Sequence, residues 1–544
     1  MKLKFTDIPR STDLFCDYLY DFKRVGEFYP RMPYDESSYG ELFERLRRGE
    51  YDREGLCNIL TRQNRSFNNS PVTIQSIERL RKPDTFVIFT GQQVGLFGGP
   101  LYTIYKAMTA INLARYLTLT TAHTFLPLFW VEGEDHDFEE IRSTHFINKD
   151  NNVHKLTYDP AVPFAGQCVG DMIIDSTMAG LVEQFEQATH PSDFKDEVLG
   201  ELRRCYGEGT KLSDAFARWM AYLLGRYGLI LVDPSDPAIK KMARPVFVTS
   251  LRKHRDLINP ALTDADRRLE EKGYHQQVGH RMDTLDFFYH EPRRLPFVRQ
   301  DEGRYLLKGT RRHFDAQEIE ELLRDQVENF SPNVVLRPLM QDYVFPTAAY
   351  VAGPSEIAYF AQFAGIYEVF GIPMPVIYPR KSLTIIEGKV DKILSKYDLE
   401  FTHMFTPKED LIRQVLASQI PGSLRRAIDG GRQAIEEKLS VLEKEAVAFN
   451  PNLAGVVGSM RGRLLGEYDR GESRIAQAVE KKDKITRHQV EKAVANLYPD
   501  SRLQERRLNL LTYLCRYSHR LIYGLMEMTC CRHESDHMIW KVNI

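Results

Sequence analysis

Three runs of β-branched and aromatic residues are apolar without a break: 85–89 (Thr-Phe-Val-Ile-Phe), 124–131 (Thr-Phe-Leu-Pro-Leu-Phe-Trp-Val) and 228–233 (Gly-Leu-Ile-Leu-Val-Asp). A strand wet on one side alternates apolar with polar residues, so a continuous run belongs in a sheet covered on both faces. Further strand candidates lie at 333–337, 348–352 and 375–378, and helical patterns occupy about 101–117 and 211–226. Strands alternating with helices predict an α/β fold around a mainly parallel sheet. Such sheets hold ligands beyond the carboxyl ends of their strands. The loops after residues 89, 131, 352 and 378 should therefore converge, and they carry the densest polar chemistry in the chain.

The rest of the chain is arranged around that sheet. Residues 1–84 read as a polar helical segment packed on the core, and 85–383 as the core itself, with insertions at about 151–210 and 236–330. The second insertion holds a hairpin pattern, 295–300 and 304–308, joined by 301–303. In 384–500, Ile428, Gly431, Ile435, Leu439, Leu442, Ala446 and Phe449 recur every three or four residues. Val457, Met460, Leu464, Tyr468, Gly471, Ile475 and Ala478 repeat the pattern after Asn450-Pro-Asn452. This spacing predicts a helical hairpin of coiled-coil type, and its apolar stripe makes a homodimer the expected assembly. Residues 501–544 should return to the core.

Composition excludes several function classes. The 73 Lys and Arg against 75 Asp and Glu leave a formal net charge of −2, without the basic excess that nucleic-acid binding needs. No segment reads as a secretory signal or a membrane span, so the expected location is cytoplasmic. The seven scattered cysteines (16, 57, 168, 205, 515, 530 and 531) form no C-x-x-C pair and are expected as reduced thiols rather than a metal site.

Four loops carry the candidate site. Residues 90–100 hold Gly91, Gly98 and Gly99, where the backbone can approach a ligand closely, with Gln92 and Gln93 as amide contacts. The following helix N-terminus favours an anion, and Tyr102 and Lys106 fall on its first turns. After Trp130 comes an acidic turn in which Asp135, His136 and Asp137 are the candidate catalytic residues. It suits Mg²⁺ or a substrate amine, with the amine preferred and no metal assigned. Gln341, Asp342, Ser355 and Glu356 supply donors and acceptors for sugar hydroxyls, while Arg380 and Ser382 suit phosphate or carboxylate. No G-x-S-x-G elbow or H-E-x-x-H motif is present, which disfavours covalent hydrolase chemistry.

The ordered set Phe89-Thr-Gly-Gln-Gln93, Gly99-Pro-Leu-Tyr-Thr103 with Lys106, Phe129-Trp130, Gly133-Glu-Asp-His-Asp137, Arg337-Pro with Gln341-Asp-Tyr343, Gly353-Pro with Glu356-Ile357, and Pro379-Arg380 with Ser382 resembles the bacillithiol biosynthesis cysteine-adding enzymes, the cysteine ligase family. The resemblance runs from about residue 85 to the C-terminus. It implies a Rossmann-like core related to nucleotidyltransferases and class I aminoacyl-tRNA synthetases, with connecting insertions and a dimerising coiled coil. It also implies joining L-cysteine to glucosaminyl-malate. The HIGH and KMSKS signatures of the synthetase relatives are missing.

Forming an amide from a free carboxylate in water is uphill, so the cysteine carboxyl needs activation as an acyl-adenylate or acyl-phosphate. ATP with Mg²⁺ is the candidate cosubstrate, its phosphate held by the 91–99 loop and Arg380. Two other readings stay open: a nucleotidyltransferase acting on another small substrate, and a coiled-coil scaffold with a ligand-sensing core.

Overall fold

A computed structural model of the chain describes all residues except 292, 301, 302, 420, 421, 483, 531–534, 543 and 544, and the side chains of 476–482. Cys531, part of the hairpin turn at 301–303 and the Ala478 side chain therefore lie outside the described residues. The chain forms two compact units, Met1–Ile385 with Arg502–Val542, and Ile386–Ser501.

The first unit is built on a five-stranded parallel sheet. Its strands are β1 (Thr85–Gln93), β2 (Thr124–Glu132), β3 (Ile230–Val232), β4 (Thr347–Ala352) and β5 (Val376–Pro379), in the spatial order β5-β4-β1-β2-β3. The chain winds outward from β1 through β2 to β3, then crosses back to lay β4 on the other side of β1. That reversal makes the β1–β4 junction the topological switch point, where the two crossover directions part and leave a crevice at the carboxyl ends.

Helix α1 (Leu101–Thr120) leads out of β1. Most of its circumference is buried, because Asn112 on its far side donates to the Met526 carbonyl of the returning C-terminal segment at 2.8 Å. A helix covered on both sides has no wet face to mark with charge. Lys106, on the sheet side of the helix, is only 1% exposed because β1 and Glu356 close around it.

The first 84 residues close the sheet edges. The Asn64 amide donates to the Leu231 carbonyl at 2.9 Å and accepts from the Leu231 N–H at 3.0 Å. Gln63 does the same to the backbone of Asp233, so two side-chain amides imitate a sixth strand and block edge pairing. On the opposite edge the Tyr18 hydroxyl donates to the Ile377 carbonyl.

One strand expectation is overturned. Residues 333–337 form no strand: the Asn333 side chain accepts from the N–H groups of Val335 and Leu336 at 2.9 and 3.0 Å, starting helix α2 (Leu336–Val344). A capping Asn outweighs the β propensity of two valines. The 236–330 insertion carries an antiparallel sheet that includes Thr284–Glu291, Arg293–Arg299, Tyr305–Leu307 and Phe330–Pro332.

The second unit is helical. Gly422–Phe449 and Ala454–Lys482 form a hairpin around the Asn450 turn. Leu439 and Val457 are buried, and the Tyr468 hydroxyl donates to the Ile428 carbonyl at 2.7 Å. Tyr468 lies so close to Gly431 that a Cβ there would meet its hydroxyl. Elsewhere the stripe is open, with Leu442, Phe449, Met460 and Leu464 exposed. No helix among the described residues is long and apolar enough to cross a membrane.

Candidate functional site

The switch-point crevice is a cavity of about 590 Å³. β1 supplies Gly91, Gln92 and Gln93, β2 supplies Trp130 and Glu132, β4 and the turn after it supply Tyr350 and Gly353–Glu356, and Arg380 follows β5.

On the floor, Lys106 reaches back from the second turn of α1. Its Nζ pairs with Glu356 Oε2 at 2.7 Å, donates to the Gly91 carbonyl and lies 3.3 Å from Gln92 Oε1. Burial pulls this ammonium below the ordinary lysine range, and Glu356 only partly offsets the effect. Glu356 belongs to helix α3 (Pro354–Phe360), which starts on proline. Its carboxylate also accepts from the Gly353 N–H and the Tyr350 hydroxyl, both at 2.7 Å. Burial alone would raise this carboxyl, but Lys106 and those two donors outweigh it and hold it below the usual carboxylate range.

One wall is acidic. Gln93 Nε2 donates to Asp135 Oδ2 at 2.8 Å and to Glu140 Oε2 at 3.1 Å, so the glutamine turn and the acidic turn meet directly. Arg294, from the antiparallel sheet, stacks 3.8 Å from the centre of the Phe288 ring and places Nη1 3.6 Å from Asp135. Burial would raise the Asp135 carboxyl, yet Arg294, the Gln93 amide and the His136 N–H together keep it depressed. It is an ionised carboxylate at the cavity edge, suited to hold a cationic amine. Behind this wall Glu134 is paired with Lys240, at 2.5 and 2.6 Å, and the same Nζ donates to the Phe330 carbonyl.

The other wall is cationic. The Arg337 guanidinium lies 5.3 Å from the centre of the Tyr350 ring, and its Nη2 is buried without a hydrogen-bond partner among the described residues. Arg380 is held by Glu505 at 2.7 Å and stacks on Tyr102. Arg506 also lines the cavity.

Ten of the sequence candidates meet here: Gly91, Gln92, Gln93, Tyr102, Lys106, Trp130, Asp135, Ser355, Glu356 and Arg380. Seven do not line the cavity. Gly98 and Gly99, both with positive φ, form a turn seated on Trp219. The Asn509 amide donates to the Phe97 and Gly99 carbonyls, and the Leu101 N–H bonds the Leu508 carbonyl. The returning segment thus takes up the Leu101 N–H, one of the helix N-terminal donors expected to face an anion, and ties down the turn through its carbonyls. Gln341 and Asp342 are interior, and the Ser382 hydroxyl is hydrogen-bonded to His537 at 2.7 Å. Asp137 caps the helix Phe138–Ile141 by accepting from the Glu140 N–H, and the His136 side chain is 55% exposed.

Arg294, Arg337 and Arg506 are cavity residues that the site prediction missed. Arg337 carried a readable signal, standing one helical turn before Gln341. Arg294 and Arg506 carried none, since an insertion and the last segment bring them in. Among the described residues, no group of three or more His, Cys, Asp or Glu is arranged to hold a metal ion.

Comparison with known proteins places this geometry in a family. Residues 1–381 match the model of the bacillithiol biosynthesis BshC N-terminal Rossmann-like domain, and residues 383–542 match that of the BshC C-terminal coiled-coil domain. Among curated relatives, a protein of Salinibacter ruber is 38% identical over 94% of this chain and 93% of its own length. One from Prosthecochloris aestuarii is 32% identical over 96% of both chains, and one from Koribacter versatilis is 30% identical over 98% of both. All three carry the name "Putative cysteine ligase BshC".

Proposed function

The chain belongs to the bacillithiol biosynthesis BshC family and is a ligase, and we propose that it joins the carboxyl of L-cysteine to the amine of glucosaminyl-malate, the last step in making bacillithiol. The observation that carries this reading is a single cavity with an ionised acidic wall facing a cationic one. The acceptor has matching ends, an amine on the sugar and two carboxylates on the malate.

The amine sits at Asp135, whose depressed carboxyl stays charged at neutral pH. The malate carboxylates sit at Arg337 and Arg506, and the sugar ring lies between, along Trp130, Gln92 and Ser355. Asp135 and Gln93 hold the amine, and once it has given up a proton to water its nitrogen lone pair faces the activated cysteine carboxyl carbon. The carbon–nitrogen bond forms there as the bond from that carbon to its activating phosphate oxygen breaks, the phosphate group leaves and the surplus N–H proton goes to solvent. ATP with Mg²⁺, when bound, supplies the activation of that carboxyl. Of the cationic wall, Arg380, held by Glu505 and stacked on Tyr102, is the residue that would hold its phosphates. The protein works in the cytoplasm, where its thiols stay reduced. It dimerises through the open apolar stripe of the helical hairpin, which light scattering on the purified chain checks.

The test is an assay of the purified full chain with cysteine, glucosaminyl-malate, ATP and Mg²⁺, following the new thiol by mass. Product that depends on all three substrates supports the ligase. If no nucleotide yields product, the proposed substrates are wrong.

A further inference from the structure

Gln341 and Asp342 lie beneath the cationic wall, fully or almost fully buried. Arg337 and Gln341 stand four residues apart on α2, so their side chains share one face. Arg337 Nη1 donates to Gln341 Oε1 at 3.2 Å, Gln341 Nε2 donates to Asp342 Oδ1 at 2.8 Å, and the Tyr367 hydroxyl donates to Asp342 Oδ2 at 2.5 Å.

We propose that Asp342 is a positioning residue for the anionic end of the acceptor, acting through Gln341 on Arg337. A carboxylate only accepts hydrogen bonds, so the Gln341 end that touches it must be the NH₂. That fixes the amide oxygen towards the guanidinium. With the amide turned over, two sets of donors would face each other and Arg337 would lose its buried acceptor. Tyr367 occupies the second Asp342 oxygen and stops the carboxylate from turning away. Held at Nη1 by Gln341 and on its face by the Tyr350 ring, with Tyr359 beside it, the Arg337 guanidinium is fixed in the cavity lining. A guanidinium already fixed loses little freedom when a carboxylate binds it, so the relay favours the anionic end of the acceptor.

This inference rests on the acceptor reading above, and its test separates the two. Steady-state kinetics of the full chain give KM for glucosaminyl-malate, KM for cysteine and kcat. Asp342→Leu is expected to raise the glucosaminyl-malate KM about tenfold, the worth of one charge-assisted hydrogen bond, with the cysteine KM and kcat within about twofold. Asp342→Asn, whose oxygen can still accept from Gln341, should retain most of the affinity. Gln341→Met, which removes the amide at nearly constant volume, should match Asp342→Leu and carries the test if that variant does not fold. A rise in both KM values together, or no rise in a variant that folds, overturns the relay. If Arg337→Ala leaves the glucosaminyl-malate KM unchanged, the assignment of the acceptor's carboxylates fails first. If Arg337→Ala raises it and Gln341→Met does not, only the relay fails.

Discussion

Among the described residues of the first unit two lysine–glutamate pairs are buried, and their surroundings give the same chemistry two different uses. Lys106 and Glu356 meet at the cavity floor, where the carboxylate is 19% exposed and has three donors: the ammonium, the Gly353 N–H and the Tyr350 hydroxyl. Lys240 and Glu134 meet behind the acidic wall, at 0% and 5% exposure, and there the second neighbour of the carboxylate is another acid, Glu132. Glu356 is held below the ordinary carboxylate range, whereas burial pushes Glu134 up to about 7 despite Lys240, with Glu132 adding to the rise. Lys106 does most to hold Glu356 down, and the Gly353 N–H and Tyr350 hydroxyl add to it, whereas Glu134 has Glu132 beside it in place of such donors. Charge is maintained where a ligand can meet it. The closed pair ties the acidic turn to the Phe330 carbonyl of the insertion.

The sharpest way to break this comparison is to remove each pair whole. Lys106→Met should strand Glu356 and lower stability by about 3–5 kcal/mol, read as a fall in Tm. The double change Lys106→Met with Glu356→Met should restore most of that Tm while kcat/KM stays at least about a hundredfold down. Recovered activity in the double variant would deny the floor pair any role at the site.

Lys240→Met should cost less, since Glu134, already raised to about 7, can take up a proton when its partner goes, and there the double change with Glu134→Leu should restore both Tm and activity. A double variant that is stable yet inactive would move Glu134 into the functional set.

The smaller effects concern pH and the surface. A carboxyl whose folded pKa is raised binds a proton more tightly in the folded state, so its contribution to stability is present at low pH and lost as pH rises. For Glu134 that window runs from about 4.5, its ordinary value, to about 7. Unfolding measured between those limits should show Glu134→Gln with a flatter loss of stability than the parent chain. Identical slopes would show that Lys240 keeps the group ionised throughout. Smallest of all, the partly exposed Arg461–Glu443 pair of the helical hairpin, at 2.6 Å, should contribute at most about 1 kcal/mol. Glu443→Gln should then barely move the denaturation midpoint.

The strands were legible because burial on both faces writes an unbroken apolar run, and 85–89, 124–131, 348–352 and 375–378 all fall on parallel strands. Helix capping was not legible at Asn333, where propensity and a single side-chain hydrogen bond pointed in opposite directions. For the site, what could be read was which strand ends open at the crevice. Which way each side chain pointed could not be read: Gln92 and Gln93 face the cavity, while Gln341 and Asp342, equally polar, turn inward to hold an arginine. A polar residue writes no periodicity that tells an interior network from a ligand contact.

The sequence by itself determined the parallel α/β core, the paired helices of the second unit and the neighbourhood of the site, since these follow from apolar spacing and from where parallel strands end. The tertiary structure alone decided the cavity's charge. Arg294 arrives from an insertion and Arg506 from the last segment, Lys106 is buried against Glu356 from far along the chain, and the Phe97 and Gly99 carbonyls bond to Asn509. The electrostatics of a buried group depend on which charges and donors lie within a few ångströms. That distance is set by how far-apart segments pack.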